Sequence, residues 1–317
     1  MTVLKFEKNI MDIKEKIKEL QQLSSESGMN LEKEIESFEQ QAKDYQNEIY
    51  SHLSIEDKLQ IARHSDRPNF LEYMDLMCED FIEFHGDRMG CDDRAIIGGM
   101  AKLDGKPIMF VGTQKGKNTK ENLEHNFGMP QPQGYRKALR LFEHANKFNI
   151  PIVTLIDTPG AYPGVSAEAT GQGIAIATNL RDMAKLKVPV IAIITGEGCS
   201  GGALGLAVAN EVLMLEYAYY TVISPEGCAS ILWRDSSLAA TAAEALKISS
   251  DDLLHLGIID GIVKEPLGGA HTNHQEMADN LKASIIASLK KYSKMSASKL
   301  REQRYDKYRV MGECIDE

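Results

Sequence analysis

The sequence predicts an α/β protein built on a mostly parallel sheet, and three observations carry that expectation. From residue 95 onward, short apolar runs alternate with stretches of helical period. Two of the runs, 151–156 and 189–194, are almost continuously apolar, as strands covered on both faces are. Each leads to a glycine-rich turn before a helical stretch: Thr154-Leu-Ile-Asp-Thr-Pro-Gly-Ala-Tyr-Pro-Gly164 and Thr195-Gly-Glu-Gly-Cys-Ser-Gly-Gly-Ala203. Such turns leave backbone N–H groups free to hold a phosphate or a developing oxyanion.

The elements follow in order. Residues 1–53 carry two narrow apolar stripes, Ile10, Ile13, Ile17, Leu20 and then Leu31, Ile35, Phe38, Ala42, Tyr45, Ile49. A breaker at 24–30, with Asn30 suited to an N-cap, makes this a helical hairpin: either a stabilising arm or one that docks a partner. Ser54 caps a helix over 55–63, and the Arg67-Pro68 step precedes a helix over 70–84. Strands 95–103 and 107–113 flank Asp104-Gly105, a type I′ hairpin signal. A helix over 135–148, strand 151–156, a helix over 167–187 and strand 189–194 come next. After them stand a short helix beyond Gly202, strands 212–215 and 220–223, and a helix opened by Ser224-Pro-Glu-Gly227. Strand 258–263 and a helix over 276–291 complete the alternation. The basic tail, 290–309, keeps helical spacing and is expected to pack on a neighbour or stay partly mobile.

Composition narrows the function. A net charge of −10 argues against nucleic acid as the main partner. No apolar run reaches the ~18–20 residues of a membrane span, and the Lys/Glu-rich N-terminus has no signal-peptide core, so a cytoplasmic protein is expected. Cys78, Cys91, Cys199, Cys228 and Cys314 include no C-x-x-C pair, which suits a reducing compartment and argues against metal in this chain. His271 and His274 sit beside a Gly-Gly turn with no H-E-x-x-H.

The second glycine turn matches two unrelated signatures. Gly196-Glu-Gly198-Cys-Ser-Gly201 is a literal G-x-G-x-x-G, with Glu216 twenty residues on, as a dinucleotide site requires. The helix after it is short, however, and the turn lies far along the chain. Gly198-Cys-Ser200-Gly-Gly202 also fits the G-x-S-x-G nucleophile elbow, for which Asp260 and His271 are the best partners in the chain. Asp157-Thr-Pro-Gly160 matches the D-x-x-G of GTPases, but Gly112–Asn118 is too short for a phosphate loop and lacks Ser or Thr after its lysine. A third reading joins the two turns: peptide N–H groups stabilise an enolate or other oxyanion, and Gly201 and Gly202 let substrate approach the backbone. Lys115, Lys117, Lys120, Arg136, Lys137 and Arg140 form a basic cluster in an acidic chain, either a solvated face or a contact surface for acidic groups.

Longer strings make the chain recognisable. Glu83-Phe-His-Gly-Asp-Arg88, Gly112-Thr-Gln-Lys-Gly116, Asn126-Phe-Gly-Met-Pro130, Gly134-Tyr-Arg-Lys-Ala-Leu-Arg140, the 156–164 turn, Ser224–Trp233 and Glu265-Pro-Leu-Gly-Gly-Ala-His271 occur in one order. With them the chain resembles, to about Tyr308, the alpha subunit of bacterial and plastid-type acetyl-CoA carboxylase carboxyltransferase. That family lies in the crotonase-like superfamily. The resemblance implies a crotonase-like (ββα-spiral) core at 54–292, an N-terminal helical arm at 1–53 and a basic helical tail at 293–317. It implies transfer of a carboxyl group from carboxybiotin, on the biotin carboxyl carrier protein, to acetyl-CoA, giving malonyl-CoA for fatty acid synthesis. Biotin is carboxylated elsewhere, by biotin carboxylase.

The implied assembly is α2β2, with the active site shared with a zinc-ribbon beta subunit and no metal in this chain. Gly201 and Gly202 match the family's backbone oxyanion hole for the ureido oxygen of biotin. No side-chain base is then needed, because the decarboxylated biotin nitrogen takes the methyl proton. Gly160, Ala161, Tyr162 and Ala203 are expected to shape the pocket, and Ser224, Pro225, Glu226 and Gly227 to close it. Lys115, Lys117, Arg136 and Lys137 are candidate contacts for CoA phosphates or the carrier. Cys199 stands where many relatives have glycine, which makes the turn slightly less permissive.

Overall fold

The computed structural model describes residues 4–27 and 30–312; Gly28 and Met29 of the expected breaker, Cys314 and the end of the tail lie outside the described residues. Helices α1 (Lys8–Ser27) and α2 (Glu32–Ser51) form the arm. Helix α2 begins two residues after Asn30, whose side chain accepts from Glu32 N at 3.1 Å rather than serving as the N-cap itself. Ile10, Ile17 and Ala42 bury the facing stripes. Tyr50 ties the arm to the body: its ring packs edge-on against Phe6 and Tyr217, with centroids 5.8 and 5.9 Å away.

Helix α3 (Ile55–Ala62) opens with a full capping box from Ser54 and Asp57, and α4 (Phe70–Met77) repeats it with Asn69 and Glu72. The expected helix over 70–84 stops at Met77. Residues beyond it form an edge strand, β1 (Glu79–Glu83), antiparallel to β2 (Ile96–Leu103). β2 and β3 (Lys106–Thr113) make the expected hairpin, with Asp104 and Gly105 both at positive φ. After the short helix α5 (Thr119–Glu124), helix α6 (Pro132–Phe148) crosses to β4 (Ile152–Thr158), parallel to β3.

The expected helix over 167–187 is broken in two, α7 (Val165–Ala169) and α8 (Gln172–Met183), because Gly171 turns the chain at φ +90°. β5 (Val190–Cys199) is longer than expected. Its glycine-rich end stays extended and pairs in parallel with β7 (Tyr219–Thr221), while its start pairs with β6 (Glu211–Leu215). The five-residue helix α9 (Ser200–Leu204) follows β5 directly. Helices α10 (Pro225–Trp233), α11 (Ala239–Leu246) and α12 (Ser250–His255) lead to β8 (Gly261–Val263), then to α13 (His274–Tyr292) and α14 (Ala297–Arg309). The sheet runs β1-β2-β3-β4-β5-β6-β8, with β7 added to β5. One continuous core packs both of its faces.

Over Ala297–Arg309 the tail packs against the body of its own chain. Leu300 enters the main core, and the Tyr308 hydroxyl accepts from Ala209 N at 3.0 Å. Arg304 is buried and donates to the carbonyls of Met183 (2.9 Å), Leu186 (3.0 Å) and Val188 (3.2 Å) and to Asn210 Oδ1 (2.5 Å). Burial pushes its guanidinium down to about 10, so the side chain serves as a charged clamp on the loop before β5. Arg304→Met would strand those acceptors without donors, and a loss of about 2–5 kcal/mol is expected. A urea midpoint unchanged from wild type would contradict that role.

Among the described residues, no helix is long and apolar enough to cross a membrane.

Candidate functional site

The C-terminal ends of β4 and β5 deliver the two glycine turns to one place. An alanine-like Cβ built at Gly202 would lie 2.4 Å from Ala161 N and 2.5 Å from Gly160 C, so these backbones touch as only glycine permits. The Thr158 hydroxyl clamps the first turn, donating to Gly160 O at 2.8 Å and accepting from Gly160 N at 3.0 Å. Tyr162 N donates to Pro130 O at 2.9 Å. Buried Tyr135 holds the second turn through Gly202 O at 3.1 Å. Ser200 connects β5 to α9 in the left-handed region, at φ +59°, a strained conformation for a residue with a side chain. The N–H groups of Gly201 and Gly202 sit in the first turn of α9 with no acceptor among the described residues, and Gly201 borders an apolar cavity of about 450 Å³. Tyr220, Leu253 and Tyr308 line the same cavity. Gly160–Tyr162 and Ser224–Gly227 are not on its wall.

Beneath the turns lies a buried charge network that the sequence did not announce. Lys115 Nζ, two residues past the end of β3, sits 2.6 Å from Asp157 Oδ1 and 2.7 Å from Glu197 Oε1. Asp157 Oδ1 also accepts from Glu197 N at 2.8 Å, so one carboxylate fixes the ends of β4 and β5 together. Glu197 accepts further from Arg63 Nε at 2.8 Å and from the Tyr219 hydroxyl. Burial alone would raise the Glu197 carboxyl, but Lys115 and Arg63 outweigh it and hold the group down at about 2. Burial would likewise depress Lys115; Asp157 and Glu197 reverse that and raise it. Arg63 continues outward to Glu226, 2.6 Å away, which ties α10 to the same network. Ser224 caps that helix by accepting from Gly227 N at 3.1 Å, and Pro225 fills its first position.

The expected residues therefore sort as follows. Gly160, Ala161, Gly201, Gly202 and Ala203 meet at the paired turns. Tyr162 folds over Gly164 beside them, and Ser224–Gly227 reach the site through Arg63. The basic cluster is not a cluster. Lys117 is held by Glu72 at 2.8 Å, and Arg136 by Asp87 at 3.0 Å. Lys137 is fully buried with its ammonium 2.5 Å from Asp92, so it is closed to CoA or a carrier.

Two look-alike readings fail on geometry. Gly196–Cys199 are strand rather than phosphate loop, and Glu216 is ion-paired with Lys264 at 2.6 Å. Ser200 has the strained backbone of a nucleophile elbow, but Asp260 is engaged by Val212 N and Lys307. His271 stacks on His64 at 3.8 Å, and burial, with His64 and Arg67, lowers it to about 3. No base is brought to Ser200. Burial and then Glu197 push the Cys199 thiol up to about 11, so it stays a protonated, unreactive side chain. What remains is a pair of backbone donors on a rigid, charge-braced platform, an arrangement suited to stabilising an oxyanion.

Comparison with known proteins gives a consistent picture. Residues 3–312 match the family model described as acetyl co-enzyme A carboxylase carboxyltransferase-like. The chain is 53% identical over 309 residues to an acetyl-coenzyme A carboxylase carboxyl transferase subunit alpha of Geobacter metallireducens, covering 98% of this chain and 97% of the relative. It is 50% identical over 314 residues to that of Synechococcus elongatus, covering 99% and 96%. Among solved structures, transcarboxylase 12S with methylmalonyl-coenzyme A and methylmalonic acid bound superposes with a TM-score of 0.60 at 18% identity. That match covers 75% of this chain and 44% of the larger one. A Pseudomonas malonate decarboxylase hetero-dimer gives a TM-score of 0.57 at 18% identity, over 68% and 88%. The shared fold is that of crotonase-like carboxyltransferases.

Proposed function

The chain belongs to the family of acetyl-coenzyme A carboxylase carboxyltransferase alpha subunits, which are components of a carboxyl-transferring enzyme, and on that premise we propose that Gly201 and Gly202 donate their N–H groups to the ureido oxygen of carboxybiotin. The observation that supports this reading is the contact of the two glycine turns, with the N–H groups of Gly201, on the cavity wall, and of buried Gly202 behind it both left without an acceptor among the described residues. When bound, carboxybiotin supplies the carboxyl group and, after its release, a nitrogen base.

This chain's residues orient and stabilise. The donors of Gly201 and Gly202 are fixed before substrate arrives, because Tyr135 holds the turn and the Lys115–Asp157–Glu197 network holds the strands beneath it. Negative charge developing on an oxygen there meets donors that need no reorganisation, a contribution of about 3–4 kcal/mol per donor. The Gly160–Tyr162 turn backs Gly202 from behind rather than lining the cavity, and the start of α10 is tied to the platform through Glu226 and Arg63. Acetyl-CoA is held largely by a zinc-ribbon beta subunit, in an α2β2 assembly served in the cytoplasm by a biotin carboxyl carrier protein and biotin carboxylase. Malonyl-CoA is the product.

The test is direct. The purified chain, alone and with its beta partner, is assayed for malonyl-CoA decarboxylation with free biotin as acceptor. An inert single chain and an active pair are expected. A fully active single chain would refute the shared site.

A further inference from the structure

We propose that Arg88 and Arg140 form the head-group end of a second ligand site, one that takes a small monocarboxylate bearing a short apolar chain. The site is a cavity of about 280 Å³ between α6 and the β2–β3 hairpin. It lies near the beginning of β4, whereas the glycine turns follow its end. With β4 spanning Ile152–Thr158, the two sites are separated by roughly 20 Å at ~3.3 Å per residue.

Three features of the cationic rim ask for an anion. Among the described residues, neither Arg88 nor Arg140 has a carboxylate within ion-pairing distance, although Arg136, one turn earlier on α6, has Asp87. Arg140 spends one nitrogen on the carbonyls of Phe84 (2.9 Å) and His85 (3.1 Å), but its Nε is buried without an acceptor. That N–H is enclosed by the protein, so the groups an incoming carboxylate can pair are Arg140 Nη1 and the Arg88 guanidinium. Burial, and then the like charge of Arg88, also depress the Arg140 guanidinium by more than Asp92 and Asp87 restore. Arg88 takes up its place at φ +64°, a conformation that a residue with a side chain adopts at a cost.

The floor sets the rest of the ligand. Met100, Met109, Phe148 and Ile150 give it an apolar floor, and His144, one turn after Arg140 on α6, is the other polar side chain on the lining. Methionines suit an occupant of adaptable shape. The volume, at the low end for small-molecule pockets, limits that occupant to a short chain. Two guanidinium groups match one carboxylate, and the apolar floor matches its tail. The string Glu83–Arg88 supplies half of this rim and takes no part in the glycine-turn site.

Octanoate titrated into the full chain, followed through the ¹³C-methyl resonances of Met100 and Met109, tests the proposal. Saturable shifts at both methyls are expected, at least tenfold weaker in affinity for Arg88→Met and absent from the remaining Met109 methyl in Met100→Trp, which fills the floor and leaves both arginines. Equal shifts with octanol or octylamine would reduce the site to an apolar crevice and overturn the proposal. Equal affinity for acetate or inorganic phosphate would reduce it to a simple anion site, with the same consequence. If the beta subunit displaces octanoate and loses its own affinity in Arg88→Met, the cavity is a protein interface and the small-molecule reading fails.

Discussion

Gly202→Ala is expected to lower the turnover of carboxyl transfer by about two to three orders of magnitude, with Gly201→Ala far milder. The difference is steric. At Gly202 the new methyl would stand 2.4 Å from Ala161 N and 2.5 Å from Gly160 C, both backbone atoms that cannot rotate aside. The turns must separate, and the Gly202 N–H swings away from the position it shares with Gly201. At Gly201 the nearest atom is Ile176 Cγ2 at 3.7 Å, an ordinary contact. Because the donors act on charge that develops during the reaction, kcat should fall while the apparent affinity for malonyl-CoA stays near wild type. Assembly with the beta subunit, checked by size-exclusion chromatography, should persist. Equal turnover in the two variants would remove the paired-turn geometry from the account.

Lys115→Met is expected to destabilise the fold by about 3–5 kcal/mol at neutral pH, the usual consequence of leaving buried charge without its partner. The lysine stem is 21% exposed, but its ammonium is enclosed between Asp157 and Glu197, whose side chains are 19% and 10% exposed. The pH dependence gives the sharper signature. Glu197 has a folded-state value depressed to about 2, so its contribution is present above the unfolded glutamate value of about 4.3 and is lost as pH falls through that window toward 2. Removing Lys115 raises the Glu197 value. The variant should therefore lie closest to wild type at low pH and furthest from it at pH 7. Urea unfolding at pH 7 and pH 4 measures this directly, and a stability gap that does not narrow on acidification would sink the ion-network argument.

The layered architecture was legible because buried strands and amphipathic helices have different periods. The Ile96–Thr113 hairpin was also legible, since Asp104-Gly105 is a turn of one kind. Three boundaries were not. Residues 79–83 continue an apolar pattern that suits a helix equally well, and only pairing with β2 makes them a strand. Gly171 looked tolerable inside a helix, but its left-handed backbone ends one. The glycines of β5 suggested a turn; they remain extended because Gly196 and Gly198 give room to the Asp157 carboxylate and the Tyr220 ring.

The contact residues of the site were visible as glycines, whereas the charges that brace them were not. In the sequence Lys115 and Glu226 suggest substrate contacts and Arg63 nothing in particular; nothing local signals the ion pairs they make, whose partners are 82, 163 and 134 positions distant. One clue was available. A glutamate at 197, following the apolar run 189–194, has to find a cation if it is buried.

Arg67 carries a consequence for how the chain reaches this state. Its guanidinium is buried against Glu265, with both nitrogen–oxygen distances at 2.8 Å, and it also holds Thr195 O, beside the second glycine turn. The counter-charge arrives 198 residues later in the sequence. At the ribosome, where ~5–20 residues emerge each second, Arg67 therefore waits roughly ten seconds or more for its partner. Until then the Arg67 guanidinium has no carboxylate to pair with at that helix–sheet junction. The second glycine turn therefore takes its final place only after the segment carrying Glu265 has been made, a long-range closure of the kind that slows folding.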